Sequence, residues 1–423
     1  MKSKIFTYTT VIAVIALSAI PVRVGAQEHG KDNRQYSIVD LGTLGGTYSE
    51  PHGINKRAWV VGVSTSQGDL EQHAFLWRNG TMSDLGTLGG PDSLAWVPGN
   101  KGEIPGQAET SMADPLGEDY CGFGTNLVCL PFVWQDGIMN PLPTLGGDNG
   151  IAYEINARGQ VAGQAETAIH DPTCVSPQVL QTGAVIWRNA EIEEQLSPLA
   201  GDSDAAAQAI NDRGQAAGVS GTCSTLPHAV LWQGGMVIDL GNLGGSMNNF
   251  AFDINNQGQV VGDSDLPGDT TQHAFIWTKH NGMQDLGTLP GDTDSSTESI
   301  NNRGQVAGVS YTTVSSRAFL WQNGVMTDLN ALACPGSVYL ANALGINNQG
   351  EIIGDAITSS GEVHGYLATP TDDECGGEAA LSAKQMGSRP NSGISLPENV
   401  RNRLRQQPRR RYRFSLGQAL EPR

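Results

Sequence analysis

Residues 250–264 read Phe-Ala-Phe-Asp-Ile-Asn-Asn-Gln-Gly-Gln-Val-Val-Gly-Asp-Ser, two apolar runs broken by a turn signal. Asn255 and Gly258 supply the positive φ that a tight hairpin needs. A third run follows at His273–Trp277, and Asn281-Gly282 separates it from a fourth at Met283–Leu286. Successive side chains of a strand point to opposite faces, so Phe275 and Trp277 share one face while Ala274 and Ile276 share the other. Both faces are apolar, which means that the strand is covered on both sides. A four-stranded sheet packed between a like sheet before it and another after it meets that demand.

The same pattern returns along the chain. An Ile-Asn-x-x-Gly-x-x-x-Gly element recurs at Asn55, Asn100, Asn156, Asn211, Asn255, Asn301 and Asn347, with spacings of 45, 56, 55, 44, 46 and 46. Aligned on Asn100, the second copy is degraded, with Gly99 where the others carry Ile. His-Ala-Phe-Leu/Ile-Trp recurs between these elements, as at His73–Trp77, and so does Asp-Leu-Gly-Thr-Leu-Gly-Gly, as at Asp40–Gly46 and Asp84–Gly90. A period of roughly 40–50 residues per four strands predicts an all-β fold, a seven-bladed β-propeller over residues 36–370. Tyr36–Leu41 is of the fourth-strand type, whereas the last repeat stops after its third strand, His364–Ala368. The N-terminal strand is therefore expected to complete the last blade and remove the open sheet edges. A right-handed β-helix is the alternative, but its shorter coils have no need of Asn-Gly hairpins.

Taken together, His-Ala-Phe before Leu-Trp, Asp-Leu-Gly-Thr-Leu-Gly-Gly and Ile-Asn-x-x-Gly-Gln-Val-Val-Gly resemble the HAF repeat family of extracellular bacterial proteins, over about residues 36–369. Leu130-Pro131-Phe132 and Gly183-Ala184-Val185 depart from the triplet, and in the last copy Gly365-Tyr366-Leu367 is followed by Ala368 in place of Trp. The resemblance implies an exported repeat protein and assigns no reaction.

The ends of the chain differ from its middle. Lys2 and Lys4 precede the apolar run 11–20, and Val24-Gly25-Ala26 offers a small-residue cleavage site, so residues 1–26 read as a signal peptide. Residues 27–35 form a short linker. After Pro370 the repeat ends, and residues 371–423 read as a disordered tail in which Arg401, Arg403, Arg405, Arg409, Arg410, Arg411 and Arg413 cluster. That cluster suits contact with an anionic envelope, a solvated tail being the plainer reading. The formal charge of −18 hides this asymmetry. The leader holds three basic residues and no acids, and residues 371–423 hold ten basic and six acidic residues, so the repeats are more acidic than the total. Such a charge argues against nucleic acid as the partner of the repeats, because phosphate binding needs Lys and Arg. An extracellular glycan, a protein or a cation fits better. Localisation is expected to be extracellular, periplasmic or on the cell surface.

Six cysteines in an exported chain invite disulfides. The expected pairs are Cys121 with Cys129, Cys334 with Cys375, and Cys174 with Cys223. The chain has no Cys-x-x-Cys pair to suggest zinc.

Strand alternation places the linkers between repeats and the loops between second and third strands at one end. Asp92, Asp148, Asp202, Asp204, Asp292 and Asp294 lie on linkers, and Asp114, Glu118, Asp119, Asp171, Asp265 and Asp269 lie on the loops. That acidic, variable end is the expected binding face. Asp263, Asp265 and Asp269 loosely resemble a calcium loop without its terminal bidentate Glu, solvated turn acids being the alternative. No other cofactor is expected. The recurring His73, His228, His273 and His364 and the recurring Trp residues read as packing. No nucleophile elbow, metal-binding His pair or phosphate loop occurs. The expected function is an extracellular binding or interaction module, the alternatives being a carbohydrate-active enzyme, glycosidase or lyase, on the same scaffold and a structural cell-surface protein. N-terminal sequencing of exported protein is expected to begin near Gln27; a start before residue 20 contradicts the leader.

Overall fold

The computed structural model describes residues 35–336, 338–371 and 375. The leader 1–26, nearly all of the linker and the arginines of the tail lie outside the described residues. Repeats two to six each form a separate four-stranded antiparallel sheet. The fifth runs Asn249–Ile254, Val260–Asp265, Gln272–Thr278 and Gly282–Gly287, within a residue or so of the sequence expectation. The remaining strands join in one nine-stranded sheet. In it the N-terminal strand Gln35–Asp40 pairs antiparallel with Val363–Thr371, from Gln35 opposite Thr371 to Asp40 opposite Tyr366. The chain's start therefore supplies the outer strand of the last repeat, as its sequence type predicts. Gly45–Ile54 of the first repeat touches the same strand at Tyr48 opposite Val363.

The doubly apolar third strand packs as its pattern requires. Phe275 and Trp277 join Ala217, Ala229 and Leu231 of the fourth repeat, while Ala274 and Ile276 join Ile300, Val306 and Phe319 of the sixth. The fifth sheet is thus a layer between two others, and the core is a series of clusters rather than one central mass.

Both glycines of the repeated element have a steric cause. Gly258 sits in the hairpin at φ 79°, where a side chain is strained. At Gly262 a Cβ would collide with the carbonyl of Phe250, which a bulge between Ala251 and Asp253 pushes against the second strand. The bulge recurs between Pro51 and Gly53, Ala207 and Gln208–Ala209, and Thr297 and Ser299.

Asn255 makes the turn and also ties it to the next one. Its Oδ1 accepts from the backbone N–H of Gln257 and Gln259, and its Nδ2 donates to the carbonyl of Asn301, 3.0 Å away in the following repeat. Asn156 donates in the same way to Asn211, Asn211 to Asn255, and Asn301 to Asn347. Asn347 then donates to the carbonyl of Asn55, 3.1 Å away, and Asn55 to that of Gly99. The ladder returns from the last repeat to the first. A parallel set joins the next residue of each turn, as from Ala157 N–H to Asp212 Oδ1 and from Asp212 N–H to Asn256 Oδ1.

This ladder corrects the alignment of the second repeat. Gly99, not Asn100, stands where the other repeats have Asn, since Gly99 N–H donates to Glu103 O as Asn156 N–H does to Gln160 O. Asn100 accepts from Lys56 N–H and so fills the following position. Gly99 has no amide to extend, and the junction to the third repeat is bridged instead by Val97 N–H to Tyr153 O and by Lys101 Nζ to Ala157 O.

Between the sixth and seventh repeats the Asp-Leu-Gly element gives way to a short helix, Leu329–Leu332, capped by Asp328. All three expected disulfides are present, with Cα separations of 6.1 Å for Cys121–Cys129, 4.7 Å for Cys174–Cys223 and 5.5 Å for Cys334–Cys375. Such bonds fit an oxidising compartment. Among the described residues no helix is long and apolar enough to cross a membrane.

Replacing Asn301 by Ala leaves the carbonyl of Asn347 and two turn N–H groups without their partner. Urea denaturation is expected to show a loss of about 1–3 kcal/mol, larger than for alanine at an exposed turn residue such as Gln257.

Candidate functional site

At the loop end, most of the carboxylates singled out from the sequence are turned toward the protein's own backbone. Asp92 Oδ1 accepts from Gln72 N–H, Asp204 Oδ1 from Thr182 N–H and Asp294 Oδ1 from Gln272 N–H, in each case from the preceding repeat. Serines beside them repeat the clasp, Ser93 Oγ accepting from Ala74 N–H and Ser295 Oγ from Ala274 N–H. Asp202 holds His228, and Asp292 holds the buried Arg317 at 2.8 Å. His73, His273 and His364 pair with Asp84, Asp285 and Asp40 of their own sheets, so the recurring histidine serves the strand pairing. Asp119 accepts from Gly124 N–H, Asp171 from Thr173, and Asp148 is exposed.

The three residues of the suspected calcium loop face different partners. Asp263 Oδ2 accepts from Gln272 and Ser296, Asp265 from Asn248, and Asp269 from Ser246. Among the described residues no group of three or more His, Cys, Asp or Glu side chains is arranged to hold a metal ion.

The long loop of the second repeat folds inward. Tyr120, buried, packs with Tyr48, Trp96, Tyr153 and Val363, and its hydroxyl accepts from Gln164 Nε2 at 2.8 Å. Glu118 then reaches the third repeat's loop and accepts through Oε1 from Val179 and Leu180 N–H. Beside it Glu166 accepts from Asn149 and Gln178, and Asn149 also donates to Asp114. Burial, then the facing Glu118 carboxyl, raises Glu166 to about 8. Burial raises Glu118 in turn, and its Oε2 has no hydrogen-bond partner in the described structure. Burial likewise raises Glu109 and Asp204 to about 7.

The described cavity lies at the opposite end, among the Asn turns. It encloses about 190 Å³ and is bordered by the turns of all seven repeats. In the register that the ladder fixes, the residue three before the Asn position is His52, Trp96, Tyr153, Gln208, Phe252, Glu298 and Leu344 in turn, and all seven line the cavity. The column is different in every repeat. His52 stacks on Trp96 at 4.5 Å, its Nδ1 donates to the carbonyl of Ala95 and its Nε2 lies 3.2 Å from Glu50 Oε1, and Trp96 meets Tyr153 edge-on at 5.2 Å. Gln208 is buried, and its Nε2 has no hydrogen-bond partner in the described structure. Glu154 and Asp253, also on the wall, are committed to the N–H groups of Ile210 and Ile300.

Sequence reading did not find this column. Its signal was present as variation, one position that never repeats beside an element that does, but the misplaced second copy hid the alignment.

No family model matches the chain, and no curated protein matches it. Among solved structures it is similar to the β-propeller domain of the Trilobed protease from Pyrococcus furiosus, at 10% identity and a TM-score of 0.47 over 80% of this chain and 94% of that one. It is also similar to a prolyl endopeptidase structure, at 11% identity and 0.47 over 80% of this chain and 51% of that one. TolB from Acinetobacter baumannii follows at 9% identity and 0.34, over 58% of this chain and 60% of that one.

A carboxyl whose pKa is raised by folding stabilises the folded state below its ordinary value, and that stability is lost as pH climbs through the raised value. For Glu166 the window runs from about 4.5 to about 8. The melting temperature is expected to fall by several degrees between pH 5 and pH 9, and Glu166→Gln to flatten the decline, as read by circular dichroism.

Proposed function

We propose that the chain is an exported seven-bladed β-propeller of the HAF repeat type that works as a binding module, and that its ligand sits in the cavity among the Asn turns. Support for the closed wheel comes from the Asn rung returning from Asn347 to Asn55, together with the terminal strand in the last sheet. The seven-membered variable column carries the binding reading. Columns that repeat do so because every junction needs the same packing, whereas the residues of this column meet differently from one repeat to the next, His52 stacked on Trp96 and Trp96 edge-on to Tyr153. His52, Trp96, Tyr153, Gln208, Phe252, Glu298 and Leu344 make a polar and aromatic wall that is different on every side. Such asymmetry suits recognition of one small ligand in one orientation.

Aromatic faces beside an unpaired amide donor suit a compact hydroxylated ligand such as a sugar unit. Gln208 Nε2, sealed from solvent, would donate to a ligand oxygen once its amide turns toward the cavity, and the rings would cover the ligand's C–H faces. Catalysis fits less well, because two of the wall carboxylates are already fixed by backbone N–H groups and a general acid or base must be free to exchange its proton. Calcium and the acidic loop end are secondary readings, since those side chains are spent on internal bonds.

Saturation-transfer NMR against a panel of mono- and disaccharides is the test. At least one sugar is expected to bind without being consumed, and Gln208→Leu to weaken it about tenfold, the loss of one buried hydrogen bond. Release of reducing ends from the same sugar favours the enzyme reading, and binding insensitive to Gln208→Leu removes the cavity from consideration.

A further inference from the structure

The cations of this acidic molecule are not spread over it. Lys56, Arg57, Lys101, Arg158, Arg213 and Arg303 all lie in the Asn turns and are exposed. Arg78, Arg188 and Lys279, also exposed, lie where third strands end, and antiparallel pairing puts those ends beside the same turns. Arg317, the other described Lys or Arg, is buried against Asp292. Every exposed described Lys and Arg therefore borders the end that holds the cavity.

The collar has a focus. The guanidinium groups of Arg57 and Arg78 both lie over the ring of Trp59, 5.4 and 5.2 Å from its centroid. Neither is ion-paired with a described carboxylate. Two like charges are thus held beside one ring, stiffened by stacking, with Lys56 on the same turn and Lys101 on the next. Planar guanidinium forks match carboxylate and sulfate oxygens.

We propose that this end docks an acidic polysaccharide, with the Arg57–Trp59–Arg78 pair receiving one of its anionic groups and the remaining collar following the chain. A bilayer would be met best by apolar side chains at the centre of the collar, and the centre here is a polar cavity. Asn and Gln side chains interleave with the cations, as Asn302, Asn348 and Gln349 do, and hydroxyl groups of a sugar chain suit them. The inference goes beyond the cavity reading, and either can fail alone, since the pair and the cavity wall share no residue.

Biolayer interferometry with the full oxidised chain on immobilised polygalacturonate, with neutral dextran as the comparison, tests it. Saturable binding to the polyuronate and none to dextran is expected, at least tenfold weaker when salt rises from 50 to 200 mM, because the screening length shortens. Arg57→Gln with Arg78→Gln is expected to cost about tenfold, while Arg57→Lys with Arg78→Lys, which keeps the charge, costs less. Equal affinity for both surfaces overturns the proposal. So does loss confined to a variant with Arg401, Arg403 and Arg405 replaced by Gln, and so does capture by phosphatidylserine vesicles without capture by the polyuronate. The melting temperature of each variant separates misfolding from lost contact, and the lysine pair provides a second, milder substitution.

Discussion

The carboxamide of the repeated asparagine is the bond on which the arrangement of sheets depends. Hydrophobic packing between neighbouring sheets is strong but tolerant of sliding, because Val, Ala and Leu present similar surfaces at every junction. The Asn side chain removes that freedom. Its oxygen fixes the shape of its own turn and its nitrogen fixes the distance to the next turn, so one residue sets both local and long-range geometry. An amide buried as Asn255 is must have partners, and only one spacing of adjacent turns supplies them all.

Sheet composition and strand order were legible in the sequence because period-two apolarity and Asn-Gly turns are local signals. Strand limits in the fifth repeat, the terminal strand and all three cysteine pairs agree with that reading. The second copy was misread for an equally local reason: Asn100 sits one place from where a pattern search wants it, and only the hydrogen bonds of Gly99 and Asn100 reveal the slip. Acidic residues gave the poorest guide. A carboxylate on a linker looks the same in sequence whether it faces solvent, as Asp148 does, or accepts from a neighbouring strand, as Asp92 and Asp204 do. Partners from another repeat decide the matter, and nothing within ten residues of Asp204 announces Thr182. The cavity column was invisible for the complementary reason, since pattern searches look for sameness and His52, Gln208 and Glu298 share none.

The two ends of the molecule divide the work. At the loop end, insertions of the second and third repeats, two disulfides and the bonds of the buried Glu118 and Glu166 carboxyls lock the loops down over Tyr120. At the turn end, short hairpins leave an open, asymmetric hollow. The junction between repeats two and three loses its Asn rung at one end while Glu118 and the Asn149–Asp114 bond tie it at the other. Compensation of that kind lets a repeat drift from its consensus without loosening its neighbours.

The pairing of the N-terminal strand has a temporal side. Asp40 meets His364, 324 positions further on, so a chain that emerges from its start holds an unmatched strand until nearly everything else has arrived. Contacts of such long range are slow to form. Until then both the first segment and the last sheet are sticky templates, which makes delayed completion, rather than weak finished structure, the stage at which this protein is most vulnerable to misassembly.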